Sequence, residues 1–176
     1  MKKILLLTFI GTSLLMSAQN KEWKAETSTI KFKIKNAGFY VNGTLTGLTA
    51  KIIFDNSKLI GNVMEASIDA KSINTNNSSR DGHLKKETYF DVVTFPKISM
   101  SATLFGKRKE GGWNGYFKLT MKNKTKDIAV PFTFIEKDGK ATIKTTFTIN
   151  RLDFGIGESS MILSDYVIIT IEVIAS

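Results

Sequence analysis

The sequence contains no cysteine, one histidine and two prolines among its 176 residues. The absence of cysteine excludes a disulfide framework, a thiol nucleophile and a thiolate metal site. It also removes the residue to which lipid is attached after a bacterial signal peptide. A folded domain of this chain must therefore be held together by its core alone.

Sequence motifs of common enzymes are also missing. The chain has no G-x-S-x-G elbow, no H-E-x-x-H pair and no phosphate-binding loop. Its aspartates are scattered, mostly near strand ends and turns, where aspartate is favoured for backbone hydrogen bonding. His83 has too few neighbours of the right type to hold a metal, and a structural role is the default for it. We therefore predict a non-enzymatic protein with no cofactor and no metal.

The chain has little negative charge compared with positive charge, and its formal net charge is +9. A basic exported protein could meet anionic headgroups, phosphates or nucleic acid. The lysines are nevertheless spread over many predicted strands, which indicates a solvated outer surface. The aromatic residues lie mostly on the apolar face and are not interleaved with lysines, so nucleic-acid binding is not predicted.

The first 18 residues have the layout of a secretory signal peptide. A basic start, Met1-Lys2-Lys3, precedes an apolar run from Ile4 to Met16 and the small residues Ser17 and Ala18. The run is too short for a comfortable membrane span. We predict a signal peptide at 1–18 and one domain at 19–176, periplasmic or secreted, with no integral membrane span after signal removal.

The remainder alternates apolar and polar residues almost throughout. In Thr29–Lys35, for example, Ile30, Phe32 and Ile34 occupy one face and three lysines occupy the other. About eight such strands, mostly joined by short hairpins, predict an all-β fold, an antiparallel up-and-down barrel. A two-sheet sandwich is the main alternative.

One long interruption, Ile73–Pro96, separates the third and fourth predicted strands. It contains polar turn residues, the Arg80-Asp81 pair, His83, and a run from Asp81 to Phe90 that is compatible with one or two helical turns. A mostly β protein commonly uses such an insertion to cover one end of its sheet or barrel. We predict that this segment braces or covers one end.

The apolar face of the strands can either fill the interior or line a ligand cavity, and composition alone does not separate these outcomes. If the interior is a cavity, its predicted walls are Phe32, Ile34, Phe54, Ile68, Met100, Phe117, Phe132, Phe134 and Phe147. Cavities of this type bury elongated apolar ligands.

Several motifs resemble those of a known family. The signature region comprises Ser72–Thr75, Arg80–Leu84, Tyr89–Asp91 and Phe95–Met100, and it is similar to that of the YceI-like family of exported lipid-binding proteins. Further matching pieces follow in the expected order, among them V-N-G-T-L from Val41 and F-T-I-N-R-L-D-F-G-I-G from Phe147. Together they cover essentially the whole predicted domain.

The resemblance implies a lipocalin-like, eight-stranded barrel with a short helical segment near one end, between strands 3 and 4. It also implies an elongated interior that holds a polyisoprenoid or similar amphiphilic lipid. Headgroup contacts are expected from Arg80, His83 and Arg151, because each lies in a loop or at a strand end. No catalytic residue is implied.

We therefore predict an exported, non-enzymatic binder or carrier of an isoprenoid-type or other fatty amphiphile. A stress-response or interaction protein with a filled barrel is the first alternative, and a hydrolase or isomerase acting on an amphiphile is the second. The sequence leaves open a homodimer, the loading partner, and the identity, chain length and headgroup of the lipid.

Overall fold

The structure is a computed structural model that describes residues 20–176, so the predicted signal peptide lies outside the described residues. Ten strands form one antiparallel sheet. They are β1 (Glu22–Trp23), β2 (Ala25–Asn36), β3 (Phe39–Leu45), β4 (Thr49–Ile53), β5 (Val63–Asp69), β6 (Lys97–Lys107), β7 (Trp113–Met121), β8 (Lys124–Lys137), β9 (Lys140–Asn150) and β10 (Leu163–Ala175). The sheet order is β1-β4-β5-β6-β7-β8-β9-β10-β2-β3.

The count of ten corrects the predicted eight, because a two-residue strand, β1, precedes the first predicted strand and the second predicted strand is divided into β3 and β4. At Lys24 the chain leaves β4 and instead exchanges backbone hydrogen bonds of 2.7 and 3.0 Å with Ser176. Between β3 and β4 the break lies at Gly47, which adopts a positive φ of 77°. The pairs Trp23–Ile52 and Ile30–Leu45 nevertheless share one register. Strands β1 and β2 therefore form one arm, and β3 and β4 the other arm, of one interrupted hairpin.

The sheet curls because this hairpin contacts both ends of the remaining strands. Strands β4 to β10 follow one another as antiparallel neighbours, and β2 pairs with β10. The predicted all-β, antiparallel fold with few helices is confirmed, and the strands form a curled sheet. Within this sheet, the pairing of β8 with β9 stops at Phe132. The neighbouring residue of β8 is Pro131, which has no backbone N–H to donate.

The Ile73–Pro96 interruption, hereafter the mouth segment, contains helix α1 (Ser78–Leu84). The helix lies between β5 and β6, not between a third and a fourth strand, and it begins and ends earlier than Asp81–Phe90. Asn77 explains the early start, since its side chain accepts a hydrogen bond from the Arg80 N–H as an N-cap. Among residues 20–176, no helix is long and apolar enough to cross a membrane.

One end of the curled sheet is filled by aromatic rings, hereafter the aromatic cluster. Phe54 is 1% exposed, and its ring centroid lies 4.6–5.7 Å from four neighbouring rings. Most of these contacts are edge-to-face, a geometry that aromatic quadrupoles favour. The cluster consists of Trp23, Phe54, Phe105, Trp113, Phe132 and Phe134. This end of the interior is therefore a packed core.

Candidate functional site

A cavity of about 560 Å³ lies inside the curled sheet. Its walls are the inward-facing side chains of nearly every strand, because successive side chains of a strand point to opposite faces. On β10, for example, Val167, Ile169 and Ile171 line the cavity, whereas Tyr166 and Thr170 are exposed. The interior is thus filled at one end and hollow beyond it.

Most of the predicted wall residues border this cavity. Those that do are Phe32, Ile34, Ile68, Met100, Phe117, Phe132 and Phe147. Phe54 and Phe134 do not, and their predicted place in the wall is corrected here. They lie toward the strand ends where the aromatic cluster fills the interior, and their rings pack against each other at 4.6 Å. That these seven wall residues contact a ligand stays a prediction.

Other wall residues were not among the predicted set. Val167, Ile169 and Ile171 of β10 show the same alternation that identified the other strands, so their sequence pattern could have placed them there. Tyr89, Phe90 and Ile156 come from irregular segments. No periodicity marks such residues in a sequence, and only the folded backbone brings them to the cavity.

Phe32 reaches the cavity wall by packing over a glycine of the neighbouring strand. A β-carbon at Gly43 would lie 2.2 Å from the Cζ atom of Phe32. Gly43 pairs directly with Phe32 in the β2–β3 ladder. The absence of a side chain at Gly43 therefore allows the Phe32 ring to lie flat on the wall instead of projecting into the cavity.

Polar side chains are concentrated where the mouth segment meets the cavity. Those that line it there are Asn36, Thr75, Asn77, Ser79, Arg80 and His83. The mouth segment is attached to β3 by two backbone hydrogen bonds between Thr44 and Asn74, of 2.8 and 3.0 Å. The cavity consequently has an apolar interior and one polar end.

Arg80 and Asp81 are organised around the buried Thr75. The Asp81 carboxylate accepts hydrogen bonds from the Thr75 N–H at 2.9 Å and from its hydroxyl at 2.6 Å. Arg80 donates from Nε to the Thr75 hydroxyl at 2.8 Å and from a terminal nitrogen to the Thr75 carbonyl at 3.0 Å. These bonds fix the helix start against the sheet and hold the Arg80 guanidinium at the cavity wall.

His83 lies on the next turn of α1 and also lines the cavity. It is exposed, and within residues 20–176 its imidazole has no protein hydrogen-bond partner. The ring is thus available to a ligand at the polar end, in contrast to the partly occupied guanidinium of Arg80.

Arg151 has a different environment from the other two predicted headgroup residues. Its side chain is 3% exposed and forms an ion pair with Asp165 at 3.1 Å. It also donates hydrogen bonds of 2.8–3.0 Å to the backbone carbonyls of Ile156, Glu158 and Ser164. Because these partners use every guanidinium nitrogen, the geometry assigns Arg151 to bracing the 156–165 loop.

Asp69 ends β5 close to the mouth segment. Lys97 approaches its carboxylate to 2.6 Å across the β5–β6 ladder. This hydrogen bond holds the pKa of Asp69 below its usual range, and the positive charge of Lys97 acts in the same direction. The pair therefore joins two wall strands at the polar end.

Residues 22–175 match the YceI-like domain. Among curated relatives, a UPF0312 protein of Pseudomonas fluorescens is 29% identical over 176 residues, covering 88% of this chain and 87% of the relative. Among solved structures, BcnA of Burkholderia cenocepacia superposes with a TM-score of 0.80 at 22% identity, over 85% of this chain and 96% of the other. A polyisoprenoid binding domain from Saccharophagus degradans gives 0.69 at 14% identity, over 88% and 97%. With the family match spanning nearly all of the described residues, the chain belongs to the YceI-like family.

Proposed function

We propose that this protein is an exported, non-enzymatic binder or carrier of an isoprenoid-type or other amphiphilic lipid. The lipid tail occupies the cavity, and its polar head lies at the polar end beside α1. Export follows from the predicted signal peptide and places the protein in the periplasm or outside the cell.

The observation that carries this proposal is the asymmetry of the cavity. Its volume of about 560 Å³ falls within the range of about 300–1,000 Å³ that is usual for small-molecule sites. The walls are mostly aliphatic or aromatic, with a few polar residues such as Ser67, Ser99 and Thr145 on the strands, and the largest group of polar lining residues gathers at one end. An amphiphile has the same asymmetry along its length.

Burial of the tail supplies the affinity. Each methylene removed from water contributes about 0.8 kcal/mol, so a chain of about ten carbons needs no ion pair to bind tightly. The side chains at the polar end then only need to orient the head of the lipid, because the tail supplies the binding free energy. Arg80 presents a planar donor suited to phosphate or carboxylate oxygens, and the unpartnered imidazole of His83 lies beside it on the same helix.

The comparison structures support this assignment. The Saccharophagus degradans domain is described as polyisoprenoid binding and shares the fold at a TM-score of 0.69. Since its identity to this chain is 14%, its ligand supports the class of molecule proposed here and leaves the individual contacts to experiment.

Two adjacent isoleucines on β10 provide a matched test. Ile169 faces the cavity, whereas Ile168 pairs with Lys33 and Thr148 on the outer face. We expect organic extraction and native mass spectrometry of the purified protein to recover a lipid. Ile169→Trp, which fills the cavity with an indole, should lower the recovered lipid severalfold, and Ile168→Trp should leave it unchanged.

Phe147→Asp gives a second, more disruptive test, because a carboxylate in the wall opposes burial of a tail. A folded Ile169→Trp or Phe147→Asp variant that retains its full lipid content would refute the cavity as the binding site. Absence of any lipid in the wild-type protein, with no uptake on mixing with isoprenoid alcohols, would favour the interaction-protein alternative.

A further inference from the structure

A group of exposed apolar residues lies at the same end of the sheet as the cavity mouth. We call it the rim patch, and it comprises Phe39, Tyr40, Met161, Ile162 and Tyr166, which are 58–105% exposed. It joins two segments distant in sequence. The Ala37 N–H donates to the Ile162 carbonyl at 2.8 Å, so the β2–β3 turn and the loop before β10 are in direct contact.

The rim patch is continuous with the cavity. Asn36 pairs with Phe39 in the β2–β3 ladder and with Leu163 of β10. Both Asn36 and Leu163 line the cavity. The exposed apolar side chains therefore border the opening instead of lying on an unrelated face.

A stripe of lysines runs from the outer face of β2 up to this rim. The lysine stripe consists of Lys31, Lys33 and Lys35, all exposed. Among residues 20–176, none of the three forms an ion pair, and Lys33 instead lies over the Tyr40 ring at 5.1 Å. Their cross-strand partners on β3 and β10 are Thr, Asn, Ile and Tyr residues without a carboxylate.

Acidic groups near the rim do not cancel this charge. The loop before β10 contributes Glu158, and β10 itself contributes Asp165 near its start. The Asp165 carboxylate is already paired with the buried Arg151. The local surface therefore combines exposed apolar and aromatic tips with unpaired cations. That combination is typical of proteins that lie on an anionic bilayer, where apolar side chains enter the headgroup region and lysines contact lipid phosphates.

We propose that the rim patch and the lysine stripe dock this protein on the surface of an anionic lipid bilayer, with the cavity mouth toward the membrane. Amphipathic Tyr40 and Tyr166 then lie at the headgroup level, where tyrosine is favoured. The purpose of this docking, exchange of a lipid between bilayer and cavity, rests on the proposed function. The docking itself does not rest on the proposed function.

Vesicle flotation tests the proposal directly. The purified protein is mixed with vesicles of phosphatidylcholine alone or with phosphatidylglycerol added, and the bound fraction is measured. Docking predicts binding to the anionic vesicles and weaker binding at high salt. Replacing all three stripe lysines with glutamine should weaken the binding at least tenfold, roughly the change expected when several lysines leave a charged surface.

The apolar part has a matched control at the opposite end of the sheet. Phe39→Asp with Met161→Asp should also weaken binding at least tenfold. Leu59→Asp with Ile60→Asp adds the same charge at the β4–β5 turn, where the two side chains are 55% and 87% exposed, and should leave binding within about twofold of wild type. Unchanged thermal unfolding in both variants shows that they are folded.

The proposal is overturned by the absence of binding to anionic vesicles, by equal binding to neutral vesicles, or by equal losses in the rim and control variants. A wild-type dimer that the rim variant dissociates, with vesicle binding unaffected, would identify the rim as a contact between two copies and also overturn it. Lipid extraction from the same samples separates the two proposals. Docking by lipid-free protein supports this inference alone, whereas loaded protein that fails to dock supports only the proposed function.

Discussion

Phe54→Ala tests the division of the interior into a packed end and a hollow end. Phe54 is 1% exposed and occupies the centre of the aromatic cluster. Its ring centroid lies 5.1 Å from Trp113, 5.5 Å from Phe105 and 4.6 Å from Phe134. Truncation therefore removes well-packed contacts on several sides and leaves a void that its rigid neighbours cannot refill.

The expected loss of unfolding free energy is large. Fully buried phenylalanine to alanine changes typically cost about 3–5 kcal/mol, and the four ring contacts place Phe54 toward the upper part of that range. Phe147→Ala is the matched control, because this ring is also buried but borders the existing cavity. In the wild type the Phe147 ring already lacks packing neighbours on the cavity side. We therefore expect Phe147→Ala to lower the unfolding free energy by about half as much as Phe54→Ala, or less.

Urea unfolding followed by tryptophan fluorescence measures both effects, and lipid is first removed because a bound ligand would raise the apparent stability. With a slope of about 2 kcal/mol per molar urea, Phe54→Ala should lower the midpoint by roughly 2 M. Lipid recovery should be retained in Phe54→Ala and reduced or altered in Phe147→Ala. Equal midpoint shifts in the two variants would refute the division of the interior, as would loss of lipid from folded Phe54→Ala.

Three further changes probe the polar end and the wall. Arg151→Met should cost about 2–3 kcal/mol, because it leaves the partly exposed Asp165 carboxylate and several backbone carbonyls without their donor. The same urea titration measures the loss, and a change under 1 kcal/mol would contradict the bracing role. Gly43→Ala should push the Phe32 ring into the cavity and reduce the recovered lipid or its chain length, and Phe32→Ala in the same chain should restore it. The pKa of Asp69 is lowered beside Lys97, so the contribution of Asp69 to folding stability is present above the unfolded pKa and is lost as the pH falls through the folded pKa. Asp69→Asn should therefore flatten the decline of the unfolding free energy below about pH 4. An unchanged decline of stability in acid would contradict this.

The sequence pattern predicted the strands well because a half-buried strand has a strict period of two. Alternation correctly predicted the inward-facing Phe32 and Ile34 of β2, Ile68 of β5, Met100 of β6 and Phe117 of β7. The division into ten strands was not predictable in the same way. Strand β1 has only two residues, and it ends where Ser176, from the far end of the chain, takes the backbone hydrogen bonds of Lys24.

The candidate site was predicted less completely. Period-two alternation shows which residues face inward but not how deep along the barrel axis each one lies. Phe54 and Phe147 are therefore indistinguishable in the sequence, although one belongs to a packed cluster and the other to a cavity wall. Arg151 was expected at a headgroup because it follows a strand, yet its burial depends on carbonyls that the 156–165 loop supplies only after folding.

The two ends of the molecule are stabilised by different interactions, and this difference makes a stable cavity possible. The aromatic cluster stabilises its end by burying rings, which requires that space be filled. The polar end is instead held by hydrogen bonds around Thr75 and Arg151 at its rim, and these leave the central space free. The β8–β9 ladder stops at Phe132, and buried Phe154 and Ile156 from the segment after β9 belong to the core. A cavity wall that depends on a loop in place of a continuous ladder can adjust to a ligand without loss of the packed end, so we expect the proposed lipid binding and the fold stability to depend on separate sets of residues.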